Sequence, residues 1–154
     1  MNQLLKIYQK HGAQHYNPLP VILRRGRGVY LQDIEGKAYI DFVSSYSSVN
    51  QGHCHPRLVQ TICDQSSRLT LCSSAFHNEN LIRFFQYMHD TFGYDKCLPM
   101  NTGVEGGETA IKLARLWGYK HKQIPENQAT IVMANGNFWG RTITACSSST
   151  NPTC

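Results

Sequence analysis

Met100-Asn101-Thr102-Gly103-Val104-Glu105-Gly106-Gly107-Glu108 is the stretch on which the fold turns. Lys96-Cys97-Leu98-Pro99-Met100 reads as a short strand before it. A helix over Gly103–Tyr119 follows, with Ala110, Leu113, Ala114 and Trp117 as its apolar stripe. Thr102 and Glu105 have the spacing of a capping box. Gly103 lets the backbone approach a bulky anion with no Cβ in the way. At such a junction the first N–H groups of the helix and its dipole attract negative charge. The Gly-Lys-Ser/Thr ending of a P-loop is missing. These residue types also suit a plain capped helix start, and type alone does not separate the two.

A second loop of this kind lies downstream. Ala129-Thr130-Ile131-Val132-Met133 is a continuous apolar run, as in buried parallel strands. Asn135-Gly136-Asn137-Phe138-Trp139-Gly140-Arg141 follows it and leads to a further helix from about Arg141. Adjacent Phe138 and Trp139 cannot both enter one core face, so one ring is available to stack on a flat ligand. An arginine at a helix start is misplaced for the dipole, and its planar fork suits a carboxylate. Strand, helix and strand with a long crossover make a βαβ unit. Open α/β sheets bind ligands at the carboxyl ends of their strands, where both loops lie. A phosphate cradle, a ring stacker and a carboxylate fork outline a pyridoxal-phosphate site for an amino-acid substrate. The competing reading is an aromatic plug beside a surface arginine.

Upstream, Val29–Asp33 and Ala38–Phe42 alternate around the turn at Ile34–Lys37 and read as a β-hairpin. Ser44–Ser48 is a polar loop. Residues 56–70 read as an amphipathic helix opened by Pro56. A second helix runs from an N-cap at Asn78 to Gly93. Residues 1–20 are polar and aromatic, and Tyr16-Asn17-Pro18-Leu19-Pro20 favours extended chain. The pattern divides the chain into an N-terminal α+β segment, 1–93, and the start of an α/β layer, 94–154.

The 154 residues carry 15 Lys and Arg against 10 Asp and Glu, a formal charge of +5. The basic residues cluster once, at Arg24-Arg25-Gly26-Arg27, which reads as a solvated turn rather than a phosphate contact. No broad basic face with interleaved aromatics points to nucleic acid, and no apolar run is long enough to span a membrane. Six cysteines without a Cys-x-x-Cys pair or a secretion signal read as reduced thiols. Gly52-His53-Cys54-His55-Pro56 suggests a metal tripod, but no second cluster completes it, so it reads as a structural loop. Met1–Lys10 lacks an Arg-rich presequence, which favours the cytoplasm, with the mitochondrial matrix as the alternative.

Four segments carry a family resemblance: Tyr16–Pro20, Ser44–Pro56, Leu98–Glu105 and Gly136–Thr142. Over about His11 to Pro152 the sequence resembles the ornithine aminotransferases, within the class-III, fold-type I pyridoxal-phosphate aminotransferases. Most class-III relatives carry Ser or Thr where this chain has Val104. The resemblance implies an α/β, fold-type I transferase architecture, here incomplete. It is an N-terminal α+β segment of the small domain and linker, plus the first strand-helix-strand of the large domain. It implies pyridoxal 5'-phosphate as cofactor, with L-ornithine and 2-oxoglutarate as substrates. The δ-amino group of ornithine would pass to 2-oxoglutarate, giving glutamate-5-semialdehyde and glutamate. Gly103 and Val104 would hold the cofactor phosphate, and Phe138 would stack on its ring. Arg141 would take the α-carboxylate of 2-oxoglutarate or glutamate. Tyr16 would contact ornithine, and Tyr46 would shape specificity for its δ-amino group. The family forms dimers or higher homo-oligomers. Lysines stand at 6, 10, 37, 96, 112, 120 and 122, and none matches the family's Schiff-base lysine. These 154 residues are therefore expected to be inactive alone, as an N-terminal fragment of such a transferase or, alternatively, as a non-catalytic truncated relative lacking that lysine.

Overall fold

Three antiparallel strands, β1 (Leu23–Arg27), β2 (Tyr30–Asp33) and β3 (Ala38–Ile40), make a sheet in sequential order. The predicted hairpin is β2–β3, with Tyr30 opposite Ile40 and Gln32 opposite Ala38. Its turn is built by Asp33, which is buried. The carboxylate accepts the N–H groups of Glu35 and Lys37 at 2.9 Å each and the Tyr39 hydroxyl at 2.8 Å. Gly36 supplies the left-handed residue, at φ 91°.

The basic run is not a turn. Arg24, Arg25 and Arg27 lie on β1, paired with β2, and the chain reverses at Gly28 and Val29 instead. Charged side chains suit an edge strand, so a run without apolar alternation concealed this one. Residues 3–11 were also missed: Gln3–His11 forms helix α1, with Leu4, Leu5 and Tyr8 at helical spacing.

The polar loop contains one turn, α2 (Ser44–Ser47), of left-handed sense. Helix α3 (Pro56–Arg68) starts with the proline at its first turn, where no N–H partner is needed. Helix α4 (Glu79–Phe92) is capped by Asn78, whose Oδ1 accepts the Leu81 N–H at 3.2 Å, and ends on left-handed Gly93. Helix α5 (Gly103–Lys120) has the predicted capping box, and a short helix, α6 (Ile143–Ser147), follows Thr142 as N-cap.

The two strands expected at 96–100 and 129–133 do not form, and with them the βαβ unit is absent from the described residues. A strand exists by pairing, and neither run finds a ladder partner among the described residues. Val132, expected in a buried strand, is 89% exposed.

The computed structural model describes residues 3–152, in two units, one ending at Phe76 and the other beginning at His77. Ala145 is the one buried apolar side chain among the described residues. The accessible surface is 13589 Å². A folded monomer of this mass exposes about 7,900 Å². None of Cys54, Cys63, Cys72, Cys97 and Cys146 is in a disulfide, and Cys154 lies outside the described residues. No described helix is long and apolar enough to cross a membrane.

Candidate functional site

The start of α5 has the chemistry of an anion cradle. The Thr102 hydroxyl accepts the Glu105 N–H at 3.2 Å, and the Glu105 carboxylate accepts the Thr102 N–H at 3.0 Å. Gly106 N–H donates to the Thr102 carbonyl. Of the four N–H groups that a helix cannot satisfy internally, the capping box takes those of Thr102 and Glu105, and those of Gly103 and Val104 lie between them. The space where a Gly103 Cβ would stand is open. These features fit a phosphate-bearing ligand: two amide donors, a positive dipole end and no steric barrier.

The second loop packs onto this helix. The Trp139 ring lies over Gly107, where a Cβ would come within 2.7 Å of its carbons. Gly140 lies against Val104, and a Cβ there would overlap that side chain. Neither glycine was singled out for this packing in the sequence, because the partner of each is more than 30 positions away. Trp139 is also held by its indole N–H, which donates to the Ser148 hydroxyl at 2.8 Å. Asn137 donates to the carbonyls of Ala134 and Ser148, and Gly136 N–H donates to the Thr150 hydroxyl at 2.7 Å. The two aromatics divide as expected. Trp139 is packed and tethered, and Phe138 is 68% exposed. Arg141 is exposed and precedes the N-cap Thr142, whose hydroxyl accepts the Ala145 N–H. Gly103, Val104, Phe138 and Arg141 thus all lie on two loops brought together by Gly107–Trp139 and Gly140–Val104.

A groove of about 420 Å³ runs beside α5, lined by Gly103, Gly107, Ala110, Ile111, Ile131 and Trp139 among others. None of its lining residues is charged. Small residues at 103, 107, 110 and 114 make it a helix-packing face.

In the first unit, Tyr16 lies tilted against His15 with ring centroids 4.8 Å apart. Tyr46 is 92% exposed on α2. Ser44, Ser45, Tyr46 and Ser47 have φ of 47°, 47°, 54° and 71°. Left-handed backbone costs a residue bearing a Cβ about 1 kcal/mol or more. The turn is anchored by Asp41. Its Oδ1 accepts the N–H groups of Ser44 at 2.8 Å and Val43 at 3.0 Å, and its Oδ2 accepts from His53 Nε2 at 2.7 Å. The Ser44 amide first, and then the His53 ring, hold the Asp41 carboxyl below its usual value. Main-chain bonds between Gly28 and His53, at 2.8 and 2.9 Å, tie the far end of the loop to the β1–β2 turn. The sequence singled out His53 as a possible metal ligand. Among the described residues no three His, Cys, Asp or Glu side chains cluster around a metal position. Alternation had placed Asp41 on a strand, which concealed its anchoring role. All seven lysines are exposed, and none lies in either loop of the candidate site.

Ornithine aminotransferase of Drosophila ananassae is 57% identical over 143 residues, covering 93% of this chain and 33% of that relative. The Rattus norvegicus enzyme is 56% identical over 144 residues, covering 94% of this chain and 33% of its own. The chain thus spans about a third of the length of these curated relatives. Both are named as mitochondrial, which overturns the cytoplasmic expectation. That expectation rested on the missing presequence, and a piece spanning a third of its relatives carries no information about a leader. Among solved structures, the ornithine aminotransferase of Toxoplasma gondii superposes with a TM-score of 0.93 at 46% identity. It covers 96% of this chain and 34% of the Toxoplasma chain, and is described as having partial occupancy of pyridoxal phosphate at the active site. The similarity establishes the fold-type I architecture, of which this chain holds the N-terminal strand-helix region. The class-III aminotransferase profile matches residues 11–154, and the chain belongs to that family.

Proposed function

We propose that these 154 residues are a non-catalytic third of an ornithine δ-aminotransferase. They carry one side of its cofactor and substrate site but not its lysine. The carrying observation is the packing of the Phe138–Trp139 loop onto the capped start of α5, which juxtaposes amide donors and an exposed ring. Within a complete transferase, Gly103 and Val104 amides hold the phosphate of pyridoxal 5'-phosphate, and Phe138 stacks on its ring. When bound, that cofactor supplies the electron sink for amino-group transfer. Arg141 binds the α-carboxylate of 2-oxoglutarate or glutamate through its planar fork. Tyr16 contacts L-ornithine, and Tyr46 selects its δ-amino group. The complete protein works in mitochondria as a homo-oligomer. Its N-terminal α+β part covers 1–93 and its cofactor domain begins at 94.

Catalysis needs an amine that meets the cofactor carbon, and every lysine here is exposed and outside the two loops. A chimera tests both halves of the proposal. Residues 11–152 replace the matching third of the Toxoplasma enzyme. The chimera converts ornithine and 2-oxoglutarate to semialdehyde, and the 154-residue chain with pyridoxal phosphate does not. Turnover by the chain alone, or an inactive chimera, would overturn the proposal.

A further inference from the structure

We infer that Asp41 and His53 are positioning residues, a carboxylate–imidazole clamp that holds the left-handed Ser44–Ser47 turn so that Tyr46 is presented outward. The inference rests on the reading of Tyr46 as the residue that selects ornithine. Four consecutive left-handed residues, none of them glycine, do not persist unless their surroundings fix them. Here main-chain bonds within the turn are joined by one carboxylate from outside it. Oδ1 of Asp41 accepts the two amides that open the turn, and Oδ2 accepts from the imidazole twelve positions further on. A carboxylate only accepts, so Nε2 of His53 carries the hydrogen of that bond.

The imidazole is itself fixed from two sides. Its main chain pairs with Gly28 in both directions. Its side chain lies against Gly26 of β1, where a Cβ would come within 2.8 Å of His53 Cβ and Cγ. The clamp therefore links the turn to the sheet. Bonds from Val49 N–H to the Ser44 carbonyl and from Gly52 N–H to the Val49 carbonyl complete the return path. Tyr46 makes none of these bonds and is 92% exposed. The strained turn thus serves to orient a side chain that does not itself hold the turn together.

The test uses the full-length chimera and its two half-reactions. His53→Ala is expected to lower kcat/KM with ornithine about tenfold, as a misplaced contact does. The half-reaction with glutamate, which does not use Tyr46, stays within about twofold. His53→Gln, which retains a donor at the same reach, recovers most of the ornithine rate. A 3-fluorotyrosine at position 46 gives a second readout: its resonance broadens or shifts in His53→Ala and returns in His53→Gln. Equal losses in both half-reactions, or an unchanged fluorine signal, would overturn the clamp. If the unsubstituted chimera uses glutamate but not ornithine while the fluorine signal still responds to His53→Ala, the clamp stands and the ornithine reading of Tyr46 fails.

Discussion

Asp33 and Tyr39 make the hairpin sensitive to pH in both directions. The Tyr39 hydroxyl first, then the Lys37 and Glu35 amides, hold the Asp33 carboxyl below its ordinary 3.8 against the opposing effect of burial. A depressed carboxyl stabilises fully above 3.8, and that contribution is lost as pH falls through the lower folded value. The same bond raises Tyr39 above its ordinary 10.0, so its contribution is intact below 10.0 and lost as pH climbs through the raised value. In Tyr39→Phe the Asp33 carboxyl is expected to titrate closer to 3.8, read from its carbon chemical shift in the full-length chimera. An unmoved midpoint would contradict the assignment. Gly107 gives a second prediction at this scale. Adding a methyl beneath the Trp139 ring forces the second loop off α5, and overpacking of this kind costs about 1–3 kcal/mol. Gly107→Ala in the chimera is expected to lower both the thermal midpoint and pyridoxal-phosphate affinity. A neutral substitution would show that the two loops are not held together there.

Helices were legible in the sequence where their ends carry specific chemistry. Asn78, Gly93, Thr102 with Glu105, and Pro56 each satisfy or remove a terminal backbone group, and each boundary falls where these residues place it. Strands were legible only where the partner is nearby. The β2–β3 hairpin closes over a short turn, whereas the runs at 96–100 and 129–133 have the composition of strands but no partner among the described residues. Apolar periodicity records what a segment packs against in the whole fold, including parts outside these residues. In the same way the capping box at 102–105 was readable, whereas Gly107–Trp139, Gly140–Val104 and Asp41–His53 depend on tertiary approach. Thr102→Ala removes the cap on α5 and is expected to cost about 1 kcal/mol, with Thr102→Ser restoring most of it. Denaturant midpoints of the chimera check this, and equal losses in both variants would contradict the cap.

The chain as a whole buries too little to behave as an independent domain. Its 13589 Å² of accessible surface far exceeds the value of about 7,900 Å² for a folded monomer of its mass. Leu113, Trp117 and Val132 lie half or more exposed where a core should cover them. The isolated chain is expected to bind a hydrophobic dye and to lose structure gradually on heating, and a sharp two-state melt would contradict this. The packing of the Phe138–Trp139 loop onto the capped start of α5 is nevertheless in place within the chain. The most direct measurement is ornithine-dependent semialdehyde formation with added pyridoxal phosphate, comparing the 154-residue chain with the chimera that joins it to the rest of a transferase. Product from the chimera and none from the chain alone is the predicted result. Saturable turnover by the chain alone, with a borohydride-trapped lysine, would contradict it.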